Sequence, residues 1–352
     1  MTGAAPLPPS GTAAPAVMRG LRFHRHGGPE VLVWDEVPVP VPGPGQVLVR
    51  SRGFAVNWAD LMERAGVYPG APDPPYVMGH DLAGDVVALG SGVETPAVGT
   101  RVFGLLPQAG TSAEWLVAAA DQVYPVPQAL TDAEAAGLGS PFLTADAALV
   151  TMGRLQAGET VLVHAAAGGF GSAAVQLCKA YGAATVIATA GSPAKVERVA
   201  ELGADVAVDY TADDFVDVVR RVTGGRGVDL VVESVGGDVL ARSFDCVRPA
   251  GRLVSVGASS GRSTSRFRLQ TLFETGITVG GFTLGLWIQH NPELVAPSAA
   301  RVLRVLDAGT VRPMVARVFA PEDIAEAHAF LASRQSIGRT IVLFPSHEHH
   351  GS

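Results

Sequence analysis

Short apolar runs recur through the second half of the chain, separated by segments whose apolar positions have helical spacing. The runs predict strands at residues 160–164, 184–189, 205–209, 228–233, 251–256 and 277–282. Runs that are apolar on both faces are typical of parallel strands buried between two layers of helices. Six such strands with helices between them predict an α/β fold with a doubly wound parallel sheet.

The first part of the chain has a different pattern. From about Arg19 to Tyr124, short strand patterns such as QVLVRSRGFAV and HDLAGDVVALG alternate with Pro/Gly breaks, which predicts an all-β lobe of barrel type. After Thr283 a helix, a strand, a helix and a strand follow, and we expect this segment to pack back on the first lobe. The predicted division is a flexible extension over 1–17, a β-barrel domain over 18–140 and 286–345, a sheet domain over 141–285, and a disordered tail over 346–352.

The first predicted strand of the sheet domain runs directly into a glycine turn and a helix. The sequence TVLVHAAAGGFG places Ala166, Gly168 and Gly171 at the spacing of a dinucleotide fingerprint. Its glycines let the backbone approach a pyrophosphate, and the helix N-terminus offers free N–H groups. Because Ala166 replaces the first glycine, the motif alone does not distinguish a dinucleotide site from an ordinary tight turn between strand and helix. The prediction of a dinucleotide site therefore rests on the whole strand–turn–helix context.

The end of the second strand lacks the acidic residue that usually holds the ribose of NAD. No Asp or Glu occurs from Gly182 to Val196, and Ser192 and Lys195 follow the strand instead. A hydroxyl and a cation suit a 2′-phosphate, so the sequence predicts NADPH in preference to NADH. The alternative is that Lys195 and Arg198 belong to a solvated first turn of a helix.

Composition limits the other possibilities. The 352 residues suffice for two domains, and 47% hydrophobic with 17% charged residues is typical of a well-packed protein. The net charge of −7 argues against a nucleic-acid partner or an anionic membrane surface, and no apolar run approaches a membrane span. Cys178 and Cys246, both in predicted helices, fit a reducing compartment, so we expect a cytoplasmic location.

Several longer segments resemble one family. They are VNWADLMERAGVYPG, GHDLAGDVVALG, HAAAGGFGSAAVQLCKAYGA, GRGVDLVVESVGG and IGRTIVLFP, spread between Met18 and Pro345. With them the chain resembles the medium-chain dehydrogenase/reductase superfamily, in its zinc-independent quinone oxidoreductase branch. The stretch from GFTLG onward is most similar to the vesicle amine transport protein 1 group, while GVYPG and TGGRGVDLVVES are also similar to polyketide-synthase enoyl reductase domains.

The resemblance implies a GroES-like catalytic domain, a Rossmann cofactor domain and an NADPH-dependent oxidoreductase. Its substrate would be a small apolar molecule, either a quinone or an α,β-unsaturated carbonyl whose C=C bond is reduced. One alternative is a tailoring enoyl or iminium reductase of specialised metabolism. Another, from a different class, is an NADPH-binding structural or interaction protein with little turnover.

The resemblance also bears on metal chemistry. Zinc alcohol dehydrogenases of this superfamily use two Cys and one His as catalytic ligands, and the matching Cys positions here hold Asn57 and Ser140. His80 stands at the His position and is followed by Asp81. One imidazole and a carboxylate do not make a three-ligand catalytic site. We therefore expect no metal, with His80 a hydrogen-bonded residue below the nicotinamide pocket.

Without a metal, the acceptor must be polarised by hydrogen bonds and must receive a proton. The resemblance places Asn57, Asp60, Tyr68 and Thr144 along the nicotinamide cleft. Tyr68 is the candidate proton donor after hydride addition, or else a loop tyrosine that packs over the cleft. Asn57 is expected to position the cofactor or the substrate carbonyl, and Thr144 to contact the carboxamide or ribose. Asp60 is alternatively a structural residue of its turn.

The predicted cofactor site combines the glycine turn, the ends of later strands and the C-terminal segment. It comprises Ala166, Gly168, Gly169, Phe170, Gly171, Thr189, Ser192, Lys195, Tyr210, Ser234, Val235, Gly257, Phe282, Thr283, Leu284 and Arg339. The resemblance places Tyr210 beside the 2′-phosphate. It also gives the segment from Gly281 to Gly285 two roles, one at the nicotinamide and one in strand pairing across a homodimer.

Overall fold

The computed structural model describes residues 14–262 and 269–345. The predicted tail at 346–352 and residues 1–13 of the predicted extension lie outside the described residues. The strands are β1 (Val17–Phe23), β2 (Leu32–Pro38), β3 (Gln46–Val56), β4 (Asp81–Leu89), β5 (Arg101–Leu105), β6 (Trp115–Ala119), β7 (Val123–Pro125), β8 (Thr160–Val163), β9 (Thr185–Ala190), β10 (Val206–Asp209), β11 (Val228–Glu233), β12 (Val247–Ser255), β13 (Thr278–Gly281), β14 (Val315–Phe319) and β15 (Arg339–Leu343).

Eleven α-helices occur in the described part of the chain. They are α1 (Trp58–Arg64), α2 (Asp132–Ala136), α3 (Gly139–Asp146), α4 (Gly169–Ala180), α5 (Pro193–Glu201), α6 (Phe215–Val222), α7 (Gly237–Ser243), α8 (Leu269–Thr275), α9 (Leu284–His290), α10 (Val295–Asp307) and α11 (Ile324–Ala332). None of these helices is long and apolar enough to cross a bilayer.

The six predicted strands of the sheet domain are all present. They pair in parallel in the order β10-β9-β8-β11-β12-β13, which is the doubly wound arrangement. Alternate residues of β8 face opposite layers: Val161 and Val163 pack in one apolar cluster with helix α4, whereas Leu162 packs in another with helix α6. Burial on both faces explains why these strands read as continuous apolar runs.

The C-terminal segment returns to the N-terminal sheet, as its pattern predicts. Strand β15 runs antiparallel to β3, and β14 pairs in parallel with β15 at the sheet edge, which gives the order β14-β15-β3-β4-β5-β7 with β6 on β3. The lobe is not all-β, however, because helix α1 follows β3. The N–H of Asn57 donates to the carboxylate of Asp60 (2.7 Å), a local bond that starts a helix where the strand ends.

Candidate active site and cofactor site

The glycine turn after β8 has the geometry that its sequence predicts. Helix α4 begins at Gly169, inside the turn and four residues before the apolar pattern at Ala173. The pattern indicates a later start because glycines carry no amphipathic signal. A Cβ on Gly171 would lie 2.4 Å from the carbonyl oxygen of Ala165, so only glycine allows helix and strand to pack this closely. The first turn of α4 therefore offers N–H groups to an anion at the carboxyl end of β8.

The C-terminal segment closes directly on this turn. The N–H of Gly338 donates to the carbonyl of Ala167 (2.8 Å), and Gly168 and Gly338 form a β-bridge. The side chain of Arg339 lies against the turn, since a Cβ on Gly169 would be 2.5 Å from its Cδ. The turn and the barrel domain are thus in contact at the predicted pyrophosphate position.

Arg339 is the centre of a buried polar network. Its guanidinium donates to Asn57 Oδ1 (3.0 Å) and forms a short ion pair with Asp81, which is 0% exposed. Asn57 Nδ2 donates to the same carboxylate (3.1 Å), and the N–H of Ser140 donates to its other oxygen. Both ends of the Asn57 amide are therefore engaged, so holding a substrate carbonyl would require Asn57 to give up its bond to Asp81. Arg339 Nε has no partner among the described residues.

The ionisation of Asp81 depends on these neighbours. Burial raises the pKa of Asp81, whereas the charge of Arg339 and the bonds from Ser140 and Asn57 act to lower it. A buried carboxylate is tolerated here because a cation and two further hydrogen-bond donors surround it.

The residues at the zinc-ligand positions do not form a zinc site. Asn57 and Ser140 are tied to Asp81 as described above, and neither offers a thiolate. His80 is engaged elsewhere, with Nδ1 2.9 Å from the carbonyl oxygen of Leu106 and Nε2 2.7 Å from Glu63 Oε1. Both ring nitrogens are therefore occupied, and no step of the reaction below passes through a zinc ion.

The pKa values of Asp60 and His80 are both raised. Burial raises the pKa of Asp60 to about 7, with His80 opposing and Glu63 adding to the shift. Although burial acts to lower it, the bond to Glu63 and the charge of Asp60 raise the pKa of His80 to about 9. Asp60 caps helix α1 with one oxygen, so its structural alternative agrees with the geometry.

Tyr68 and Thr144 both retain exposed surface. In helix α3 only Ser140 and Thr144 are incompletely buried, and their spacing of four residues puts them on one face of the helix. Tyr68 is half-buried on the loop after α1; burial raises its pKa, and the charges of Glu63 and Asp60 add to this. No described residue forms a hydrogen bond with its hydroxyl, so the hydroxyl is available to a substrate.

A second cluster lies at the end of β9, where the 2′-phosphate is predicted. Ser192 caps helix α5 and accepts the N–H of Lys195 (3.4 Å). The Tyr210 side chain is 55% exposed, and a Cβ on Gly191 would lie 2.3 Å from its hydroxyl. Lys195 Nζ donates to the carbonyl of Arg334, a residue that the sequence reasoning missed.

Arg334 reaches across to two other elements. Its Nη2 donates to the carbonyl of Ser259 (2.9 Å) after β12, and its guanidinium lies 5.5 Å from the ring centroid of Trp58 on α1. Nothing in the local sequence indicates this position, because Arg334 is 139 residues from Lys195. Lys195 thus contacts the backbone of Arg334, whereas the Arg334 side chain extends to the loop after β12 and to α1.

The remaining predicted cofactor residues differ in their surroundings. Thr189 is buried with its hydroxyl 3.0 Å from His164 Nδ1, so it faces the core. Glu233, also missed, accepts the N–H groups of Val235 and Gly236 and so shapes the turn after β11. Five further predicted residues lie at or just after strand ends on the same edge of the sheet: Ser234, Gly257, Phe282, Thr283 and Leu284.

Comparison with known proteins identifies the family. Residues 43–128 match the family model described as alcohol dehydrogenase GroES-like domain, and residues 169–300 match the one described as zinc-binding dehydrogenase. The chain is 36% identical to a 2-haloacrylate reductase of Burkholderia sp, over 92% of this chain and 98% of that protein. It is also 36% identical to a quinone oxidoreductase of Pseudomonas aeruginosa, with the same coverage.

Solved structures agree with this assignment. A quinone oxidoreductase from Pseudomonas syringae superposes with a TM-score of 0.84 at 33% identity, covering 93% of this chain and 99% of that one. The similarity covers both domains, and proteins of this family bind a nicotinamide cofactor. The chain therefore belongs to the medium-chain dehydrogenase/reductase superfamily, in its zinc-independent quinone oxidoreductase and enoyl reductase branch, and is an oxidoreductase.

Proposed function

We propose that this protein is an NADPH-dependent reductase that transfers hydride to a quinone or to the C=C bond of an α,β-unsaturated carbonyl. The proposal rests on one observation. At the carboxyl end of the parallel strand β8, the glycine turn, Arg339 and the exposed face of α3 come together. Similar proteins are named quinone oxidoreductase and 2-haloacrylate reductase, which supports this substrate class.

The preference for NADPH is supported by charge at the end of β9. Lys195 supplies a cation there, and Ser192 and Tyr210 add hydroxyls. A 2′-phosphate carries the negative charge that such a cluster recognises. At the other end, the first turn of α4 and the unpartnered Arg339 Nε suit the pyrophosphate. The residues present therefore fit the cofactor.

The chemistry divides between cofactor and protein. A bound nicotinamide supplies the hydride, which an enone accepts at its β-carbon or a quinone at its ring system. Tyr68 then donates its hydroxyl proton to the α-carbon of the enolate, or to the oxygen of the reduced quinone. Because burial and nearby carboxylates raise its pKa, Tyr68 stays protonated until the substrate becomes basic. Thr144 and Ser140 orient the nicotinamide and the acceptor from the open face of α3.

We further propose a homodimer and a cytoplasmic location. Strand β13 is the edge of the six-stranded sheet, and large apolar side chains are exposed on it and on the helices that precede and follow it, namely Val279, Phe273 and Leu286. An open edge with apolar neighbours favours pairing with a second copy. Both cysteines are buried free thiols, as in proteins of reducing compartments.

Consumption of NADPH tests the proposed activity. We expect loss of absorbance at 340 nm with at least one quinone or enone from a panel, and slower loss with NADH at equal concentration. Turnover restricted to a bulky enone or an iminium would indicate the tailoring reductase instead. Saturable NADPH binding without turnover of any acceptor would contradict the reductase and support an interaction protein.

A further inference from the structure

A buried carboxylate lies at the carboxyl edge of the six-stranded sheet. Glu233 is the last residue of β11 and is 0% exposed. Its Oε1 accepts the N–H of Val235 and the N–H of Gly236 (2.7 Å), and its Oε2 accepts the hydroxyl of Ser255 (3.3 Å) at the end of β12. Burial raises the pKa of Glu233, while these three bonds act to lower it. One side chain therefore joins the ends of two neighbouring strands.

The turn that Glu233 holds is also paired with the loop after β12. The carbonyl of Ser234 accepts the N–H of Ser259 (3.0 Å). The next carbonyl, that of Val235, accepts the N–H of Ser260 (3.0 Å). Ser234 is only partly buried, and its hydroxyl has no partner in the described part of the chain. The backbone of the turn is therefore bonded on both sides, while the hydroxyl of Ser234 is available to a ligand.

The order of the strands indicates which part of a dinucleotide meets this turn. Strand β8 lies between β9 and β11, and β12 follows β11. The proposed 2′-phosphate site is at the end of β9, and the glycine turn proposed for the pyrophosphate follows β8. Ligands of doubly wound sheets lie beyond the carboxyl ends of the strands. A dinucleotide that begins at β9 and crosses β8 therefore brings its nicotinamide half over β11.

We propose that Glu233 is a positioning residue for the nicotinamide half of the cofactor. It fixes the turn from Ser234 to Gly236 before the cofactor binds, so that the hydroxyl of Ser234 holds the nicotinamide ribose. The turn needs such support because Gly236 has a φ of 76°, in the left-handed region that favours glycine. Hydride transfer is sensitive to this support, since a misplacement of about 1 Å can cost about a hundredfold in rate. The inference rests on the proposed cofactor site and assigns a residue that itself contacts no cofactor atom.

Binding of NADPH and of a fragment separates this role from a general loss of structure. The fragment is 2′,5′-ADP, which carries the 2′-phosphate but no nicotinamide. Glu233→Met leaves the two N–H groups of the turn without an acceptor, so we expect the Kd of NADPH to rise about tenfold and that of 2′,5′-ADP to stay constant. With saturating NADPH, kcat should fall at least about tenfold. Equal losses of affinity for both ligands, or no loss for either, would overturn the proposal.

A conservative variant and a matched control accompany this measurement. Glu233→Gln should restore most of the affinity for NADPH, because its amide oxygen accepts both N–H groups and its NH₂ donates to Ser255. Asp229 is a second buried carboxylate of β11, at the opposite edge of the sheet, where it accepts the N–H of Thr160 (2.8 Å). Asp229→Asn should lower the melting temperature without changing the ratio of the two Kd values. A ratio that changes as much in Asp229→Asn as in Glu233→Met would contradict the assignment.

Amide exchange in the parent protein covers the case in which Glu233→Met does not fold. In the cofactor-free protein we expect slow exchange at Val235 and Gly236, because both N–H groups are bonded to a buried carboxylate. Fast exchange that becomes slow only with NADPH would overturn the proposal, since the cofactor would then order the turn. Exchange requires no acceptor, so an absence of turnover by the parent protein would contradict the proposed reductase without deciding the role of Glu233.

Discussion

Replacing Arg339 with Met should expose the energetic cost of the buried Asp81 carboxylate. The variant keeps an unbranched apolar stem but removes the guanidinium that pairs with Asp81 and donates to Asn57. Asp81 remains 0% exposed, with only Asn57 and the Ser140 N–H as donors. Leaving one partner of a buried ion pair uncompensated costs about 3–5 kcal/mol of unfolding free energy.

The loss should depend on pH in a defined direction. Without Arg339, the pKa of Asp81 rises further, because burial is no longer opposed by a cation. In the unfolded chain the pKa of Asp81 is about 3.9. Above this pH the folded state binds more protons than the unfolded state, so the free energy of unfolding falls as pH rises. The difference from the parent should therefore grow between pH 5 and pH 8, by at most about 1.4 kcal/mol per pH unit.

Urea unfolding at these two pH values measures the effect, and a second substitution tests its cause. The double variant Asp81→Asn/Arg339→Met has neither charge of the ion pair. Most of the free energy of unfolding lost in Arg339→Met should therefore be recovered, and the pH dependence should disappear. Arg220→Met, which removes an exposed pair with Asp217, should change stability little. Equal destabilisation in the single and double variants, or a loss independent of pH, would refute this reasoning.

Other predictions follow from the catalytic and cofactor residues. Tyr68→Phe should lower kcat for enones about a hundredfold while the Kd of NADPH stays constant, and Tyr76→Phe serves as its control; equal rates in parent and Tyr68→Phe would exclude the tyrosine as donor. Lys195→Ala should weaken NADPH binding about 10- to 100-fold, as expected for a lost charge-assisted bond, with little effect on NADH; parallel losses for both cofactors would argue against a 2′-phosphate site. Burial lowers the pKa of His164 to about 3, whereas the pKa of His in the unfolded state is about 6.5. Between these two values the unfolded state binds more protons, so the free energy of unfolding falls on acidification, by about 2 kcal/mol at pH 5. Thermal unfolding of His164→Gln should be less sensitive to pH over this range, and an unchanged slope would count against the assignment.

The parts of the structure that could be predicted are those with local signals. Strands β8 and β11 lie within a residue of their predicted bounds because burial on both faces leaves a continuous apolar run. Helix α1 was missed because it is short and follows a strand without a break, and its start depends on the single bond between Asn57 and Asp60. Local periodicity contains no signal for so short an element.

The candidate site was predicted only as separate residues. Asn57 and Arg339 are predicted site residues, whereas Asp81 is noted only as the residue after His80. The bonds among the three join positions 258 and 282 residues apart. Arg334 was missed for the same reason, because its contacts with Lys195 and Ser259 depend on the return of the C-terminal segment to the first lobe. Such contacts arise from topology and have no counterpart in a local pattern.

Transfer of deuterium from labelled cofactor tests the central claim most directly. NADPH carrying deuterium at C4, labelled in turn on each face, is incubated with an enone that the protein reduces, and the product is analysed by mass spectrometry and NMR. We expect deuterium from one face only, at the β-carbon, and a proton from solvent at the α-carbon. An enone product without deuterium from either form, or NADPH that binds and is never consumed, would contradict hydride transfer.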